Sequence, residues 1–548
     1  MYVSESMEKK KEEPLQTLQM KMKMKMNTMI VFIFTLLILS TPSSSSSSSS
    51  SLQSSPPTVC IIGSGIGGSS VAHFLRQYSD QSPPPIGTIR IFERHGRVGG
   101  RMATVSLAGD TFEAGASILH PKNYHAVNFV KLLNLTVKQD DEDDSSSFGI
   151  WDGHKFVFKT LDSNSKFPFF QKIVSLLNSF RMFFRYGFSL FKMSNFVEST
   201  VDRFLNYYKS CESRPVFETV DEMLKWPGLY NLTTRTLQEE LVDVRLSPLL
   251  IQELVTVDMT NIGNGQTTNS MRGLEICSND RVITRINYGQ SVSISGLAGA
   301  VSLAGSGGGL WAVEGGNWQM AAGLINTSDV ELHLNEEIVS ISYLGDYYEL
   351  NSTNGNSHTC DITVVATPLD EINIRFTPTF LIPNRQLQHT HATFVRGFLN
   401  PAYFGLHSAS AIPELVGTVE SSDLPFTSIS VLKQHGENDM SYKIFSREPV
   451  AGALLDRIFS VRTETIRINW GAYPHYKAPE RFAPFMLDGR HLYYVNAFEN
   501  AASTMETSAV AAENVARLIL SRSSGHGKSS SSNLKSSSSG THDLNSDL

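Results

Sequence analysis

The segment TVCIIGSGIGGSSVAHFL, residues 58–75, constrains the fold of this chain more than any other stretch. Its apolar run 59–62 predicts a strand buried on both faces, and a helix is expected after the glycines. Gly63, Gly65 and Gly68 stand in G-x-G-x-x-G register, which permits a tight turn, close approach to a pyrophosphate and close helix–strand packing. The segment therefore predicts a Rossmann-type dinucleotide turn. We expect cofactor contacts from Gly63, Ser64, Gly65, Ile66, Gly67 and Gly68.

The next predicted strand, IRIFER at residues 89–94, places an acid where a ribose would lie. Glu93 ends this strand and follows Gly68 by 25 residues. The usual spacing is about 20 residues, and a proline-containing loop accounts for the excess. An acid here suits a pair of ribose hydroxyls and repels a 2′-phosphate.

Two further loops, RHGRVGGRMAT (94–104) and FEAGASILHP (112–121), favour FAD over a nicotinamide cofactor. FAD has a second half that needs more backbone donors, and a nicotinamide enzyme has no need of a second glycine-rich loop there. The loops resemble those of the amine-oxidase-like flavoprotein superfamily. The resemblance implies pyrophosphate and ribityl contacts or flavin contacts from Arg94, Gly99, Gly100, Arg101, Gly115, Ala116 and Ser117.

Three later segments fit the same resemblance. Segments 330–342 and 360–368 resemble returning strands, and segment 491–520 resembles the strand, turn and helix that close a flavin site. This implies further cofactor contacts from Ile338, Ala366, Thr367, Asn496 and the backbone of Met505 or Glu506. Some amine oxidases anchor the flavin through a cysteine. Ala472 stands in the comparable place here, so we expect noncovalent FAD and no metal.

The order of these motifs predicts an α/β fold. We expect a Rossmann-type FAD-binding domain assembled from discontinuous segments, with an inserted α+β substrate domain built on a mixed sheet. The predicted ranges are leader and signal peptide 1–43, serine-rich linker 44–57, FAD-binding segments 58–125, 326–370 and 481–520, substrate-domain segments 126–325 and 371–480, and a disordered serine-rich tail 521–548.

Composition and targeting signals limit where the protein can be located and which partners it can bind. The net charge of −7, with no basic cluster in the predicted folded region, argues against a nucleic-acid partner. The lysines, short apolar run and small residues of segment 21–43 predict a signal peptide. We therefore expect the secretory pathway, with a lysosomal, vacuolar or extracellular destination. Four sequons are candidate glycosylation sites: Asn134, Asn231, Asn326 and Asn351.

Four cysteines are too few for a disulfide scaffold in a chain of 548 residues. Cys60 lies within the first predicted strand and is expected to be a small buried apolar residue. A bridge between Cys211 and Cys277 is possible, and the sequence does not decide it.

The middle of the chain narrows the expected substrate. The stretch RINYGQSVSISGLAGAVSLAGSGGGLWAVEGGNWQM (285–320), taken with AYPHYKAPE, resembles the prenylcysteine oxidases, also called prenylcysteine or farnesylcysteine lyases. The resemblance implies an FAD-dependent thioether oxidase. It would convert S-farnesylcysteine, and also S-geranylgeranylcysteine, with dioxygen and water to cysteine, a prenyl aldehyde and hydrogen peroxide.

At the reacting end we expect contributions from four side chains. Tyr473 and His475 lie in the AYPHY segment, which borders the flavin in amine oxidases, and Tyr288 and Gln290 belong to the NYGQ segment. His475 is a candidate weak base for the attacking water. Each of these side chains has a plain structural alternative, such as a hydrogen bond to a loop carbonyl.

The aromatic stretch 165–210 can line a prenyl channel, pack as ordinary core or rest on a membrane surface. Two other functions stay open at this point. One is an amine- or polyamine-oxidase-like flavoenzyme, which would need acidic groups near the flavin. The other is a secreted FAD- or lipid-binding protein without turnover. No obligate protein partner is evident.

Overall fold

A computed structural model describes residues 55–79, 85–139, 147–161, 168–209, 213–251, 287–305, 309–419, 421 and 423–525. The chain divides into units 1–55 and 56–548, and nearly all described residues belong to the second. The predicted leader, linker 44–54, Cys211 and Cys277 lie outside the described residues, as does the tail beyond residue 525.

A five-stranded parallel sheet forms around the glycine segment, in the order β20-β13-β1-β2-β9. Its strands are β1 (Val59–Ile62), β2 (Ile89–Glu93), β9 (Val330–Leu334), β13 (Ile362–Val365) and β20 (Leu492–Tyr494). Strands β1 and β13 are buried along their whole length, as a central parallel strand requires. The strand predicted at 59–62 and the strand end at Glu93 are confirmed.

Helices cover this sheet. Helix α1 (Ile66–Ser79) follows the glycine turn and packs against the long C-terminal helix α11 (Met505–Gly525) and against α9 (Trp318–Thr327). Helix α2 (Tyr124–Leu132) also packs on α11. These contacts bring sequence segments hundreds of residues apart onto one sheet, as predicted for a discontinuous Rossmann-type fold.

A seven-stranded mixed sheet forms the second layer, in the order β19-β15-β18-β17-β16-β6-β7. Its strands are β6 (Phe148–Trp151), β7 (Phe156–Lys159), β15 (Leu387–Leu399), β16 (Leu415–Thr418), β17 (Ser428–Gln434), β18 (Met440–Ser446) and β19 (Phe459–Pro474). Strands β16 and β6 run parallel and the other pairs run antiparallel. The predicted mixed sheet is therefore present, while the predicted domain boundaries stay a prediction.

Smaller elements complete the described fold. A four-stranded sheet contains β10 (Ile338–Tyr343), β11 (Tyr348–Ser352), β12 (Ser357–Cys360) and β14 (Arg375–Thr377). Two ribbons pair β3 (Thr104–Leu107) with β4 (Asp110–Glu113) and β5 (Val137–Gln139) with β8 (Trp311–Val313). The remaining helices are α3 (Pro168–Tyr186), α4 (Ser189–Phe204), α5 (Val220–Lys225), α6 (Leu237–Asp243), α7 (Pro248–Leu250), α8 (Gly296–Ala304) and α10 (Gly452–Ile458). Short 3-10 turns cover Leu205–Tyr208, Tyr230–Thr233, Pro401–Phe404, Ala409–Ala411 and Val495–Asn500.

The expectation for Cys60 is wrong. Cys60 and Cys360 form a disulfide that joins β1 to the end of β12 across 300 residues of sequence. Both cysteines are buried. The predicted burial of Cys60 is therefore confirmed, but Cys60 is not a free apolar side chain. The sequence offered no signal for the pairing, because strand order in the parallel sheet decides which cysteine comes near β1.

The four sequons differ in accessibility. Asn134, Asn231 and Asn326 are exposed, whereas Asn351 is half-buried in β11 and its amide donates to the Ser340 hydroxyl. Glycosylation at these positions stays a prediction, with Asn351 the least accessible of the four.

Replacing both Cys60 and Cys360 by alanine is expected to lower the free energy of unfolding by about 2–4 kcal/mol, because the bridge closes a long loop in the unfolded chain. Denaturant unfolding of parent and double variant measures the change. Mass spectrometry after alkylation without reductant provides the control, and modification of Cys60 in the folded parent would contradict the pairing.

Candidate functional site

A cavity of about 1270 Å³ lies at the carboxyl ends of the parallel strands. Its wall continues from there onto the strands β15 to β19 of the mixed sheet and onto α8. Ligands in open α/β sheets bind at this end of the strands. Small-molecule pockets usually measure about 300–1,000 Å³, so this cavity has room for a cofactor and a second molecule together.

The cavity wall brings together most of the residues predicted from the sequence. Of the predicted cofactor residues, the wall includes Gly63, Ser64, Gly65, Ile66, Gly67, Glu93, Arg94, Gly99, Gly100, Arg101, Gly115, Ala116, Ser117, Ile338, Ala366, Thr367, Asn496, Met505 and Glu506. Gly68 is the exception among them.

The three glycines of the turn differ in what a side chain would meet. Gly63 has a φ of +107°, a conformation that favours glycine, and a Cβ at Gly68 would lie 2.0 Å from the Gly63 carbonyl oxygen. A Cβ at Gly65 would come no closer than 3.7 Å to its nearest neighbour, the Gly99 carbonyl oxygen. The fold therefore needs Gly63 and Gly68, whereas Gly65 leaves open the space that a dinucleotide backbone would occupy.

Glu93 holds the turn and keeps some acceptor capacity. Its Oε2 accepts from the Ser64 amide at 3.1 Å and hydroxyl at 2.6 Å, and its Oε1 accepts from the His95 amide at 3.0 Å. A carboxylate has about four lone-pair directions, so a ribose hydroxyl can still donate to it.

Two features at the other end of the cavity also suit a polar ligand. The Oδ1 atom of Asn496 is buried and has no hydrogen-bond partner among the described residues, although its Nδ2 donates to Glu499 at 3.0 Å. Residues 503–508 at the start of α11 line the cavity, and a helix N-terminus presents free amides and a positive dipole end. Buried unpaired acceptors are rare, so Asn496 fits a hydroxyl-bearing ligand.

The side chain of Glu506 has a structural use. Its Oε1 accepts from the His125 amide at 2.7 Å and the Tyr208 hydroxyl at 2.5 Å, and its Oε2 accepts from the Ala126 amide at 3.0 Å. Its side chain therefore satisfies the first amides of α2. The predicted cofactor contact of Met505 or Glu506 rests on the backbone, as stated, and stays a prediction.

Arg101 is engaged by protein groups. It donates from Nη1 to the Ala472 carbonyl at 2.7 Å and pairs through Nη2 with Glu499 at 2.5 Å. The second carboxylate oxygen of Glu499 pairs with Arg385 at 3.1 Å. Burial alone would raise the pKa of Glu499, but the two arginines outweigh it and hold that pKa at about 2. Arg101 thus fixes the position of the cavity wall through its contacts with Ala472 and Glu499.

Of the four side chains predicted for the reacting end, two line the cavity. Tyr288 and Tyr473 both contribute to its wall, with ring centroids 4.6 Å apart. The Tyr288 hydroxyl donates to the Ser503 carbonyl at 3.3 Å. Burial raises the pKa of both phenols, so both hydroxyls stay protonated donors.

Gln290 and His475 lie outside the lining. Gln290 donates to the Pro474 carbonyl at 2.9 Å and accepts from the Tyr476 amide at 3.0 Å, so it clamps the end of β19. His475 has an exposed side chain, and its amide bonds to the Gln386 carbonyl at 2.9 Å. Gln290 therefore positions the end of β19. His475 does not line the cavity.

Two titratable residues that no sequence motif marks, the half-buried Glu113 and the buried Lys443, meet at the cavity wall. Lys443 lines the cavity from β18 and donates to the Glu113 carbonyl at 3.0 Å and to the Ser117 hydroxyl at 3.1 Å. Its ammonium group also lies 4.6 Å from the Phe445 ring centroid. Burial lowers the pKa of Lys443 to about 8 although Glu113 opposes this shift.

Glu113 ends β4 and accepts from the Asn317 amide at 2.6 Å, while its Oε2 is buried without a partner among the described residues. Burial raises its pKa to about 7, against the Asn317 hydrogen bond and the charge of Lys443. Perturbed pairs of this kind cluster at functional sites. No local motif marks Lys443, because 330 residues separate it from Glu113.

Apolar side chains form much of the remaining wall. The mixed sheet and α8 contribute Leu297, Val301, Leu387, Leu415, Leu432, Phe445 and Ile468, and α4 contributes Val201 and Phe204. Of the described part of the aromatic stretch 165–210, Thr200, Val201 and Phe204 line the cavity. Channel lining by that stretch is thus confined to the last turns of α4.

Comparisons with known proteins agree on one family. The model of the prenylcysteine lyase family matches residues 169–278 and 280–532, and a model of NAD(P)-binding Rossmann-like domains matches residues 61–133. The farnesylcysteine lyase of Arabidopsis thaliana is 63% identical over 489 residues, which cover 89% of this chain and 93% of that protein. Prenylcysteine oxidase 1 of Homo sapiens is 33% identical over 504 residues, covering 87% and 91%.

Solved structures share the fold at low sequence identity. A redesigned putrescine oxidase matches with a TM-score of 0.51 and 12% identity, over 85% of this chain and 99% of its own. Cyclohexylamine oxidase from Brevibacterium oxydans matches with a TM-score of 0.50 and 15% identity, over the same shares. The predicted amine-oxidase-like fold class is confirmed.

Replacing Gly65 by alanine is expected to lower flavin content about tenfold while the protein still folds, because the methyl group enters ligand space rather than protein. The ratio of flavin absorbance to protein absorbance measures the change. Gly452→Ala is the matched control, since a Cβ there meets nothing within 4 Å. Full flavin content in the Gly65 variant would contradict the assignment of the turn.

Replacing Glu113 by glutamine is expected to change how stability depends on pH. The pKa of Glu113 is about 7 in the folded protein, against an ordinary value of 4.5. Between pH 4.5 and pH 7, the folded protein therefore holds a proton that the unfolded chain has lost. Its contribution to stability therefore falls as pH rises through this window and is absent in the variant.

The stability of Glu113→Gln relative to the parent should thus rise from pH 4.5 to pH 7, by on the order of 1–3 kcal/mol. Thermal unfolding of both proteins across that range measures the difference. A constant difference would show that folding leaves the pKa of Glu113 unchanged, and a decline with pH would show that folding lowers it; either result contradicts the prediction.

Proposed function

Because the chain belongs to the prenylcysteine lyase family and is an FAD-dependent oxidase that cleaves prenylcysteine, we propose a specific reaction for it. The C1–H bond of the prenyl thioether loses a hydride, water adds to C1, and the C1–S bond then breaks. The products are free cysteine, a prenyl aldehyde and hydrogen peroxide, with dioxygen as the second substrate. Farnesylcysteine is the proposed substrate, with geranylgeranylcysteine also accepted.

One observation carries this proposal: a single cavity joins the polar glycine turn to a wall in which the mixed sheet and α8 contribute many apolar side chains together with Lys443. FAD, when bound, accepts the two electrons of the oxidation and passes them to dioxygen. No cysteine is among the described lining residues, and Ala472 stands where a covalent anchor would be, which supports noncovalent binding.

The residues of the chain provide binding, orientation and exclusion of water. The apolar side chains of the mixed sheet, α4 and α8 accept the isoprenoid and keep bulk water from C1. Tyr473 remains protonated and offers a hydroxyl donor to the amino-acid end, whereas the Tyr288 hydroxyl donates to the Ser503 carbonyl and orients the Tyr473 ring by packing against it. Glu113 and Lys443 have pKa values of about 7 and 8, which suit transfer of the proton released when water adds.

The part of the wall around Lys443 disfavours a polyamine. A substrate with several ammonium groups needs carboxylates without nearby cations. Here Glu113 has Lys443 beside it, and the neighbouring wall side chains Leu432 and Phe445 are apolar. A long uncharged chain fits this surface better.

We place the protein in the secretory pathway, with a lysosome, vacuole or the extracellular space as its destination. The buried Cys60–Cys360 disulfide supports an oxidising compartment, since such bridges are rare in the cytosol. The exposed sequons Asn134, Asn231 and Asn326 agree with export. The reaction requires no obligate protein partner.

The purified holoenzyme is expected to release hydrogen peroxide with S-farnesylcysteine in air and to bleach its flavin with that substrate without oxygen. Spermine is the comparison substrate. Peroxide with spermine instead would favour a polyamine oxidase, and no peroxide with either would favour a binding protein without turnover.

Replacing Tyr473 by phenylalanine is expected to leave flavin content unchanged and to slow flavin reduction by S-farnesylcysteine about tenfold, because a donor to the polar end is lost. Anaerobic stopped-flow absorbance measures the rate. His475→Ala, on the exposed side of the same segment, is the matched control. An equal loss there would give His475 the base role that the sequence suggested.

A further inference from the structure

Helix α3 exposes a continuous apolar face. Phe169, Ile173, Leu176, Leu177 and Phe184 are all exposed, from 37% for Ile173 to 77% for Phe184. Their spacing of i, i+4, i+7, i+8 and i+15 places them within an arc of about 100° on a helix.

The opposite side of the same helix already packs on the protein. Met182 and Tyr186 are 5% and 3% exposed and belong to the core. A surface helix ordinarily turns polar residues to solvent, and a contiguous exposed apolar patch marks an interaction site. The exposed face around Leu177 is therefore a candidate binding surface for an apolar partner.

Cations border this face. Helix α3 carries Lys172, Arg181 and Arg185 and no acidic residue, although the whole chain has a net charge of −7. The Arg181 guanidinium lies 5.7 Å from the Phe158 ring centroid and that of Arg185 lies 5.9 Å from the Tyr186 ring centroid. An apolar face with basic flanks is typical of helices that lie in a membrane interface.

Helix α3 lies next to the cavity wall without forming part of it. No α3 residue with a described side chain lines the cavity, but α4 begins three residues after α3 and supplies Thr200, Val201 and Phe204 to the wall. Phe188, in the turn between the two helices, is also exposed. No described helix is long and apolar enough to cross a membrane, so α3 would lie along a surface.

We propose that α3 docks the protein on an anionic phospholipid bilayer. The face from Phe169 to Phe184 enters the acyl boundary, and Lys172 and Arg181 on its two sides meet the lipid phosphates. Docking brings α4 and the cavity to the phase in which a prenylated substrate dissolves, a consequence that rests on the proposed function. The docking itself does not depend on turnover.

Charge favours a bilayer over a second copy of this chain as the occupant. A twofold contact through this face would bring two sets of Lys172 and Arg181 together with no acid on either helix, and like charges at an interface are costly. An anionic lipid surface supplies the opposite charge to the same residues.

The test measures co-sedimentation of the full chain with phosphatidylcholine vesicles, with and without phosphatidylserine. The parent is expected to bind the phosphatidylserine vesicles, and Leu177→Asp/Phe184→Asp is expected to bind them at least about tenfold more weakly. Leu381→Asp is the matched control, because Leu381 is 99% exposed and lies outside α3. It should bind as the parent does.

A second variant tests the charges without changing the apolar face. Lys172→Gln/Arg181→Gln is expected to weaken binding to phosphatidylserine vesicles by about fivefold per charge and to leave binding to phosphatidylcholine vesicles unchanged. Both double variants should keep their flavin and the parent rate on substrate dissolved in buffer, which separates loss of docking from misfolding.

Two outcomes would overturn the proposal. One is that the parent sediments with neither kind of vesicle, or that the Leu177/Phe184 variant binds as well as the parent. The other is that this variant abolishes a dimer seen by light scattering, which would make the face a contact between copies. Failure of turnover on dissolved substrate in the parent would instead contradict the proposed function.

Discussion

The buried carboxylate of Glu499 joins the parts of the chain that form the cavity. One of its oxygens pairs with Arg101, from the loop that follows β2, and the other pairs with Arg385, which precedes β15. Arg385 also pairs with Asp370 at 2.7 Å, in the segment that follows β13. An isolated charge at this depth would be very costly, and removing one partner of a buried pair costs about 3–5 kcal/mol. The network therefore holds the loops of the parallel sheet against the mixed sheet.

A second contact, between the NYGQ and AYPHY segments, completes the same junction. Gln290 bonds to the backbone on both sides of His475, and Tyr288 packs its ring against Tyr473 and Tyr476, at 4.6 and 5.1 Å. Arg101 holds the carbonyl of Ala472 just before this point. The end of β19 is thus fixed from two directions, and the cavity wall formed by Tyr288 and Tyr473 depends on both.

The features that the sequence predicted correctly are those that a short stretch of chain determines. The strand, glycine turn and helix at the start, the strand end at Glu93 and the closing helix after Asn496 all depend on local patterns of apolar residues and glycine. The glycine roles also follow from local geometry, since Gly63 and Gly68 meet each other across one turn. Most of the predicted cofactor wall could be named for this reason.

The contacts at the mixed-sheet end of the cavity were harder to predict, because the order of the strands alone brings these residues together. Cys60 finds Cys360, and Lys443 finds Glu113, across 300 and 330 residues respectively. Neither pairing leaves a pattern in the nearby sequence. His475 shows the converse: its place in a recognisable segment suggested chemistry, but alternation along the chain turns its side chain outward while its neighbours Pro474 and Tyr476 are buried.

The two ends of the cavity therefore obey different constraints. Backbone amides and glycines form much of the nucleotide end, so substitutions there are limited by space and by φ, and side-chain identity matters less. Side chains from β4, β15, β18 and β19 line the other end, where the pairing register of the strands decides which of them face the cavity. A one-residue slip of β18 would turn Lys443 to the other face of its sheet and break the bond from its ammonium group to the Glu113 carbonyl. Register in the mixed sheet, rather than the nucleotide motif, thus decides which side chains face this end of the cavity.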